Sequence, residues 1–262
     1  MTEVNKTLYI PLYGKALCSR KGIILHDERA EQIWEKGGFQ LKGKSRSKWL
    51  AYYMGMRAAV FDEWAREKCA CEKDVLVLHI GCGLDSRAQR VGAQCDWYDV
   101  DFPGVIAERR KYYKESRSYT MLAADVRENG WLAAIPRAES AVVVMEGVSM
   151  YFAPDELRAL LARLCAHFGR VSLLMDAYTV FAAKASEYKN PINDVGVHRV
   201  YGFDSGAEAA QGTGLAVICE REMTPAAKIA ELCGAERFIF RKIYGGALAK
   251  KMYRLYEYKK VR

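Results

Sequence analysis

The stretch VLVLHIGCGLDSR, residues 75–87, joins a hydrophobic run to a glycine-rich turn. A strand that ends in such a turn and leads into a helix is the usual entry to an α/β nucleotide-binding domain. Gly81 and Gly83 occupy the first two glycine positions of the dinucleotide pattern G-x-G-x-x-G, but Ser86 stands at the third. Because that third glycine allows the helix to pack closely beside a pyrophosphate, its absence argues against NAD or FAD. The loop therefore predicts a nucleoside ligand without phosphates.

Short apolar runs alternate with longer amphipathic stretches from residue 75 onward, a pattern typical of a parallel sheet with crossover helices. Helices are predicted over residues 101–114 and 153–169, and a last one near residues 225–233. The sequence thus predicts an α/β fold with a Rossmann-like, mostly parallel sheet of seven strands. The predicted strands are VLVLHI (75–80), CDWYDV (95–100), YTMLAA (119–124), AVVVME (141–146), VSLLMD (171–176), GLAVICERE (214–222) and KMYRLYEYKK (251–260).

The chain divides into two parts by pattern. Residues 1–74 are predicted to be helical, with one long aromatic helix over residues 45–70, and we expect them to form a lid on the open side of the sheet. Residues 75–262 form the predicted ligand-binding core, with an acceptor-site insert near residues 177–213. No linker rich in Pro, Gly or Ser separates the two parts, so the first is an extension of the second.

The composition and charge of the chain argue against several classes of function. The 262 residues are 51% hydrophobic and 27% charged, with a net charge of +8. No apolar run is long enough to span a bilayer and no signal peptide is evident, so we expect a soluble, cytoplasmic protein. We also expect a monomer or weak homodimer. The basic residues are dispersed, which makes a nucleic-acid partner unlikely on this pattern. The eight cysteines show no zinc spacing, so we expect reduced thiols and no metal site.

Two aspartates near the second predicted strand are candidates for ribose binding. Asp101 follows Gly81 by 20 residues, the position from which a carboxylate accepts hydrogen bonds from ribose hydroxyls. Asp99 lies two residues earlier and points the same way in an extended segment. The alternative interpretation of Asp101 is a helix cap.

Other charged residues at the predicted strand ends are further candidates for contacts with the ligand. Asp85 and Arg87 in the glycine loop suit a ligand tail with an ammonium and a carboxylate, and S-adenosylmethionine has such a tail. Asp125 follows the third strand, where it can accept from an adenine amine while the Val126 N–H meets a ring nitrogen; a helix cap is the alternative. Glu146 ends the fourth strand, and a buried carboxylate there is seldom present for packing alone.

Several motifs together resemble a known family. They are KTLYIPLYGKALCSRKGIILHDERA (6–30), GCGLDSR (81–87), WYDVDFPGVIAERRKYY (97–113), DVR (125–127) and EGVSMYF (146–152). This combination resembles the leucine carboxyl methyltransferase superfamily, particularly its bacterial branch of tetracenomycin-type polyketide O-methyltransferases. The resemblance covers roughly residues 6–180.

The resemblance implies a class I methyltransferase fold that uses S-adenosylmethionine and releases S-adenosylhomocysteine. It also assigns roles by motif match. Gly81 and Gly83 would line the methionine portion of the cofactor, and Asp101 would bind its ribose. Asp125 would contact the adenine, and Glu146 would lie near the methyl group. Arg57 would hold the cofactor carboxylate with help from Lys15, whereas Arg87 either contacts the ligand or pins the loop through an acidic neighbour.

The acceptor is less constrained by the sequence. A carboxylate is ionised at neutral pH and needs no base, whereas a phenol with a pKa near 10 needs one. His198 is the candidate base or acceptor clamp, and a plain loop histidine is the alternative. The resemblance places Tyr151 near the methyl group, and an aromatic core residue is the alternative there. We therefore expect O-methylation of a carboxylate, or of a phenol, on a small molecule. Methylation of a protein C-terminal carboxylate, and a tRNA-associated or non-catalytic binding role, are the alternatives.

Overall fold

The computed structural model describes residues 7–71, 74–92, 94–186 and 200–261. Its centre is a seven-stranded sheet in the order β3-β2-β1-β4-β5-β7-β6. The first five strands pair in parallel, whereas β7 is antiparallel to both β5 and β6. The predicted mostly parallel sheet of seven strands is confirmed. The strands are β1 (Val75–Ile80), β2 (Asp96–Asp101), β3 (Tyr119–Ala123), β4 (Ser140–Met145), β5 (Arg170–Tyr178), β6 (Leu215–Arg221) and β7 (Tyr253–Lys260).

Helices cover both faces of this sheet. On one face, the leucines of α6 pack on the apolar side chains of β1 and β4, and on the other, Phe61 and Trp64 of α3 do the same. β1 and β4 are buried along their full length because both faces are covered, which explains their continuous apolar sequences. The helices are α1 (Tyr9–Arg20), α2 (Glu28–Gly37), α3 (Lys48–Cys71), α4 (Arg87–Val91), α5 (Pro103–Arg109), α6 (Pro154–His167), α7 (Val180–Ser186), α8 (Gly206–Ala210), α9 (Ala226–Ala230), α10 (Gly234–Tyr244) and α11 (Ala247–Met252).

Helices α1, α2 and α3 make up most of the described part of the N-terminal segment, residues 7–71. α1 lies against α3, and they approach so closely that a Cβ on Gly14 would lie 2.7 Å from the Met54 Cβ. α3 in turn packs on the sheet, so this segment shares a continuous apolar core with the strands. The role of this segment as a lid stays a prediction.

Two helix predictions differ from the structure. The segment after β2 is helical only over Pro103–Arg109, because Asp101 is the last residue of β2 and turns follow Arg109. Between β6 and β7 the sequence predicts one helix, but α9, α10 and α11 are all present. Phe240 of α10 is fully buried against Tyr52 of α3, a contact with a distant segment that no local pattern reveals. No helix in the described part of the chain is both long and apolar enough to cross a membrane.

Candidate active site

A cavity of about 1320 Å³ opens at the carboxyl ends of β1, β2 and β4, beneath α1 and α3. In open parallel sheets this edge is where ligands bind. His198 lies outside the described residues, and Arg87 does not line the cavity. The other predicted site residues all line it: Lys15, Arg57, Gly81, Gly83, Asp85, Asp101, Asp125, Val126, Glu146 and Tyr151.

The glycine loop forms the floor of the cavity. Gly81 has φ +70° and Gly83 has φ +51°, in the left-handed region that glycine adopts without strain. A Cβ on Gly81 would lie 2.3 Å from the Val148 Cγ2, so this position has no room for a side chain. The Gly81 N–H donates to the Val100 carbonyl at 2.8 Å, which fixes the turn to the end of β2.

Asp101 and Asp99 have different surroundings although both belong to β2. Asp101 lines the cavity, and its carboxylate accepts hydrogen bonds from the Gly83 and Phe102 N–H groups, both at 2.8 Å. Burial raises the pKa of Asp101. Asp99 is completely buried and accepts from the Trp97 indole at 2.9 Å, the Tyr119 hydroxyl at 2.6 Å and the Arg109 guanidinium. Only Asp101 is therefore positioned to meet a ligand.

A second carboxylate lies beyond the end of β3. Asp125 holds the Arg127 guanidinium, with 2.9 Å between Arg127 Nε and Asp125 Oδ1, and this hydrogen bond lowers the pKa of Asp125. The Arg127 guanidinium lies 5.6 Å from the Phe102 ring centroid, and both side chains line the cavity. Next to Asp125, the Val126 N–H has no hydrogen-bond partner among the residues that the structure describes.

Glu146 lies between two arginines at the end of β4. Its carboxylate accepts from Arg57 Nε at 2.9 Å and from the Arg87 guanidinium. Burial by itself would raise the pKa of Glu146, but the two guanidinium charges outweigh it and lower that pKa to about 2. Glu146 is thus an anion fixed at the cavity wall.

The sequence leaves two interpretations of Arg87, a ligand contact or a residue that pins the loop through an acidic neighbour. The loop pattern places it among the ligand contacts, but its side chain is 0% exposed. It donates to Asp62 at 2.7 Å and also pairs with Asp85 and Glu146. A guanidinium without its own partners would be costly to bury, and these carboxylates compensate it. These contacts agree with the second interpretation, in which Arg87 pins the loop through acidic neighbours, and its side chain does not reach the cavity.

The network extends through Asp85 to the N-terminal helices. Asp85 lies 3.1 Å from Lys15 Nζ of α1 and 2.7 Å from Arg90 of α4. Although burial opposes ionisation, these cations hold the pKa of Asp85 well below its usual range. Arg90 also pairs with Asp62 of α3 and Asp27 at the start of α2, at 2.6 and 2.5 Å. The ionic network thus ties three N-terminal helices to the glycine loop.

Arg57 is held from its other side by residues on β5 and β7. Its Nη1 lies 3.2 Å from Asp176 and 3.1 Å from the Tyr253 hydroxyl, and that hydroxyl donates to Asp176 at 2.7 Å. Asp176 also accepts from the Gly147 N–H at 2.7 Å. A Cβ on Gly147 would lie 3.0 Å from Arg57 Nη2, so the glycine allows the guanidinium to reach the cavity wall.

The end of the cavity away from Asp101 and Asp125 is aromatic. The rings of Tyr53 and Tyr253 lie 6.3 Å apart, and those of Tyr178 and Tyr253 lie 4.9 Å apart. Burial raises the pKa of Tyr53, Tyr151 and Tyr253, so these phenols are neutral at physiological pH. We call this set of cavity-lining residues the tyrosine wall: Tyr53, Tyr151, Tyr178, Tyr244 and Tyr253.

The family model of the leucine carboxyl methyltransferases matches residues 3–165, more than half of the chain. The chain belongs to the leucine carboxyl methyltransferase family. The resemblance predicted from the motifs is therefore confirmed. The tetracenomycin polyketide synthesis O-methyltransferase TcmP of Streptomyces glaucescens is 31% identical over 199 residues, which are 75% of this chain and 74% of that protein. The S-adenosyl-L-methionine-dependent methyltransferase dpfgK of Gibberella zeae is 26% identical over 64% of this chain and 62% of that protein.

A solved structure shows the same fold at low sequence identity. The magnesium protoporphyrin IX methyltransferase of Synechocystis PCC 6803, crystallised with S-adenosylhomocysteine, has a TM-score of 0.54 and is 13% identical, covering 98% of this chain and 100% of that one. The predicted class I methyltransferase fold is confirmed. This leucine carboxyl methyltransferase family member is an S-adenosylmethionine-dependent methyltransferase.

Sequence reasoning missed several charged members of this family member's site. Arg90 lies three residues after Arg87 on the same helix, a spacing that could have suggested a shared role. Asp62 lies between buried aromatic residues of α3, and a carboxylate in such a position usually has a partner. For Asp27, Asp176 and Tyr253 no local signal exists, because their partners come from distant segments of the chain.

Proposed function

We propose that the protein transfers the methyl group of S-adenosylmethionine to a carboxylate oxygen of a small aromatic acid. The pairing and ionisation of the acid–base groups around the cavity support a carboxylate as the methyl acceptor. Among the described residues, every carboxylate lining the cavity is already paired or hydrogen-bonded, and the tyrosines of the tyrosine wall with raised pKa values are neutral. A cavity whose described residues offer no unpaired carboxylate as a base suits an acceptor that is already an anion.

The residues at the Asp101 end fit the nucleoside part of the cofactor. The Asp101 carboxylate would accept hydrogen bonds from the ribose hydroxyls while its present bonds to Gly83 and Phe102 hold it in place. The Val126 N–H is a free donor for an adenine ring nitrogen, and Asp125 is the acceptor for the exocyclic amine. Gly81 supports this fit, because a Cβ there would overlap Val148, so a glycine is needed for the loop backbone to form the cavity floor.

The charged residues near Glu146 fit the amino-acid tail. Lys15 and Arg57 line the cavity and would bind the tail carboxylate, while Asp85 and Glu146 would face the ammonium group and the cationic sulfur. Asp176 and Tyr253 contribute indirectly, since they fix the Arg57 guanidinium. At about 1320 Å³, the cavity exceeds the usual range for one ligand and leaves room for an acceptor beside the cofactor.

For catalysis the protein mainly has to align the acceptor with the methyl group of the cofactor. Bound S-adenosylmethionine supplies a methyl group on a positively charged sulfur that is a good leaving group. The chain's own residues would hold the acceptor oxygen in line with that methyl group and exclude water. The tyrosine wall gives an aromatic acceptor a surface to stack on. Neutral Tyr151 would donate a hydrogen bond to the acceptor, and His198 remains a proposed acceptor clamp.

The names of one relative and of the family agree with this proposal without deciding it. TcmP is an O-methyltransferase of tetracenomycin polyketide synthesis, and the family is described by leucine carboxyl methylation. A tyrosine-lined cavity is better suited to a compact aromatic acid than to a polypeptide C-terminus. We therefore propose a small-molecule acceptor.

Paired acceptors test this proposal directly. The protein is incubated with S-adenosylmethionine and either an aromatic acid, such as 1-naphthoic acid, or the phenol of the same ring size, 1-naphthol. We expect a methyl ester from the acid, identified by mass and by its loss on mild alkaline hydrolysis, which leaves an aryl ether intact. The rate with the acid should be nearly constant from about pH 6 to 9, because its carboxyl group is ionised throughout.

Other products would contradict specific parts of the proposal. Ether formation alone, with a rate that rises about tenfold per pH unit toward the phenol pKa, would replace the carboxylate by a phenol. Products methylated only at nitrogen or carbon would overturn O-methylation itself.

A further inference from the structure

Two cysteines face each other on the side of the sheet away from the cavity opening. Cys69 lies in the last turn of α3 and Cys95 immediately precedes β2. Their sulfur atoms are 3.7 Å apart, and both side chains are partly buried against the same apolar cluster. A disulfide needs a sulfur–sulfur distance of about 2.05 Å, so a small rotation of the two side chains would bring them into bonding range.

A disulfide between these two cysteines would constrain a defined segment of the chain. The two cysteines are 26 residues apart, and the segment between them contains β1, the whole glycine loop and α4. A bond between them would close this segment into a covalent ring and restrict the unfolded chain. Neither sulfur lies at the cavity, so the cofactor site would stay open.

The other cysteines with a described thiol environment differ from this pair. Burial raises the pKa of Cys18 to about 12 and also raises that of Cys82, so neither is a reactive thiolate. At Cys95, the hydrogen bond with Cys69 lowers the pKa although partial burial opposes it. The sulfur–sulfur distance allows either residue to attack the other, and the lowered pKa favours Cys95 as the nucleophile.

We propose that Cys69 and Cys95 are a redox modification site, which forms a reversible disulfide when the protein meets hydrogen peroxide. The Cys95 thiol loses its proton, the thiolate attacks one peroxide oxygen and the O–O bond breaks. A sulfenic acid forms, and the leaving hydroxide takes up that proton as the first water. The Cys69 sulfur then attacks the Cys95 sulfur, the S–O bond breaks, and the second water leaves with the Cys69 proton. Two thiols are oxidised and one hydrogen peroxide is reduced to two waters. A thiol reductant reverses the reaction by exchange.

Intact-mass and peptide analysis of the full chain tests this proposal. After treatment with one equivalent of hydrogen peroxide we expect a mass loss of about 2 Da, reversed by dithiothreitol, and a cross-linked peptide that contains Cys69 and Cys95. The thermal midpoint should rise by about 5 °C on oxidation. Affinity for S-adenosylhomocysteine should stay within about twofold, because the cross-link does not reach the cavity.

Matched variants separate this pair from other thiols. The mass loss and the rise in thermal midpoint should both disappear in Cys95→Ser and persist in Cys233→Ser, which removes an exposed cysteine far along the chain. A mass loss that persists in Cys95→Ser would overturn the proposal. So would a mass gain from oxygen addition alone, or dimers linked through Cys71, Cys219 or Cys233 in place of the internal bond.

Discussion

Replacing Arg87 by Met is expected to lower the free energy of unfolding by about 3–5 kcal/mol, because it leaves three buried carboxylates without their shared cation. Asp62, Asp85 and Glu146 each pair with this fully buried guanidinium. Met retains most of the side-chain volume, so the loss reports the missing charge more than a cavity. Urea unfolding at pH 7 measures the effect.

Arg20→Met is the matched control for this substitution. Arg20 pairs with Glu35 at 3.0 Å, but both side chains are about half exposed or more. Exposed pairs contribute about 0–1 kcal/mol, so this variant should unfold almost as the unchanged protein does. Equal losses in the Arg20 and Arg87 variants would contradict a structural role for the ionic network.

The difference between Arg87→Met and the unchanged protein should shrink on acidification. With Arg87 present, the pKa of Glu146 is about 2, below its ordinary 4.5, so the stability from this ion pair is complete above pH 4.5 and is lost as pH falls toward 2. Without Arg87, only Arg57 still opposes the effect of burial, so the pKa of Glu146 rises and the variant loses less stability on acidification than the unchanged protein does. Unfolding at pH 4 should therefore show a smaller gap than at pH 7.

Gly81→Ala is expected to destabilise the protein more than Gly22→Ala, although both glycines have nearly the same backbone conformation. Their φ values are +70° and +66°, and a left-handed conformation costs an alanine about 1–2 kcal/mol. A Cβ at Gly22 would meet nothing within 4 Å, whereas at Gly81 it would lie 2.3 Å from Val148. We expect Gly81→Ala to lose about a further 1–3 kcal/mol from this overlap.

The variants Gly81→Ala and Gly22→Ala can also be compared in their affinity for the cofactor product. Val148 must move to accept the new methyl group, and it lines the cavity together with Gly81. We expect the affinity for S-adenosylhomocysteine to fall at least about tenfold in Gly81→Ala and to stay unchanged in Gly22→Ala. Equal effects at the two positions would mean that the loop has no special packing at Gly81.

The strands and the glycine loop could be predicted from the sequence because their signals are local. β1 and β4 are buried on both faces, and their sequences are therefore apolar over nearly their whole length. Gly81 follows β1 directly. Asp101 could be predicted for the same reason, since the length of one strand–helix–strand unit sets its distance from the loop.

The contacts of the charged side chains could not be predicted in the same way. Arg87 has the spacing of a loop residue, but α3 supplies Asp62 behind it, and this tertiary partner turns its guanidinium away from the cavity. Arg57 depends on Asp176 and Tyr253, which follow it by 119 and 196 residues. Such partners become visible only when the chain is folded.

We propose that the cavity binds S-adenosylmethionine with its ribose on Asp101. Calorimetric titration with S-adenosylhomocysteine tests this claim on the unchanged protein, on Asp101→Ala and on Asp96→Ala, which removes an exposed carboxylate from the same strand. Hydrogen bonds to a charged group contribute about 1.5–3 kcal/mol, so Asp101→Ala should lose at least about tenfold in affinity while Asp96→Ala loses nothing. The same affinity in all three proteins would contradict the claim.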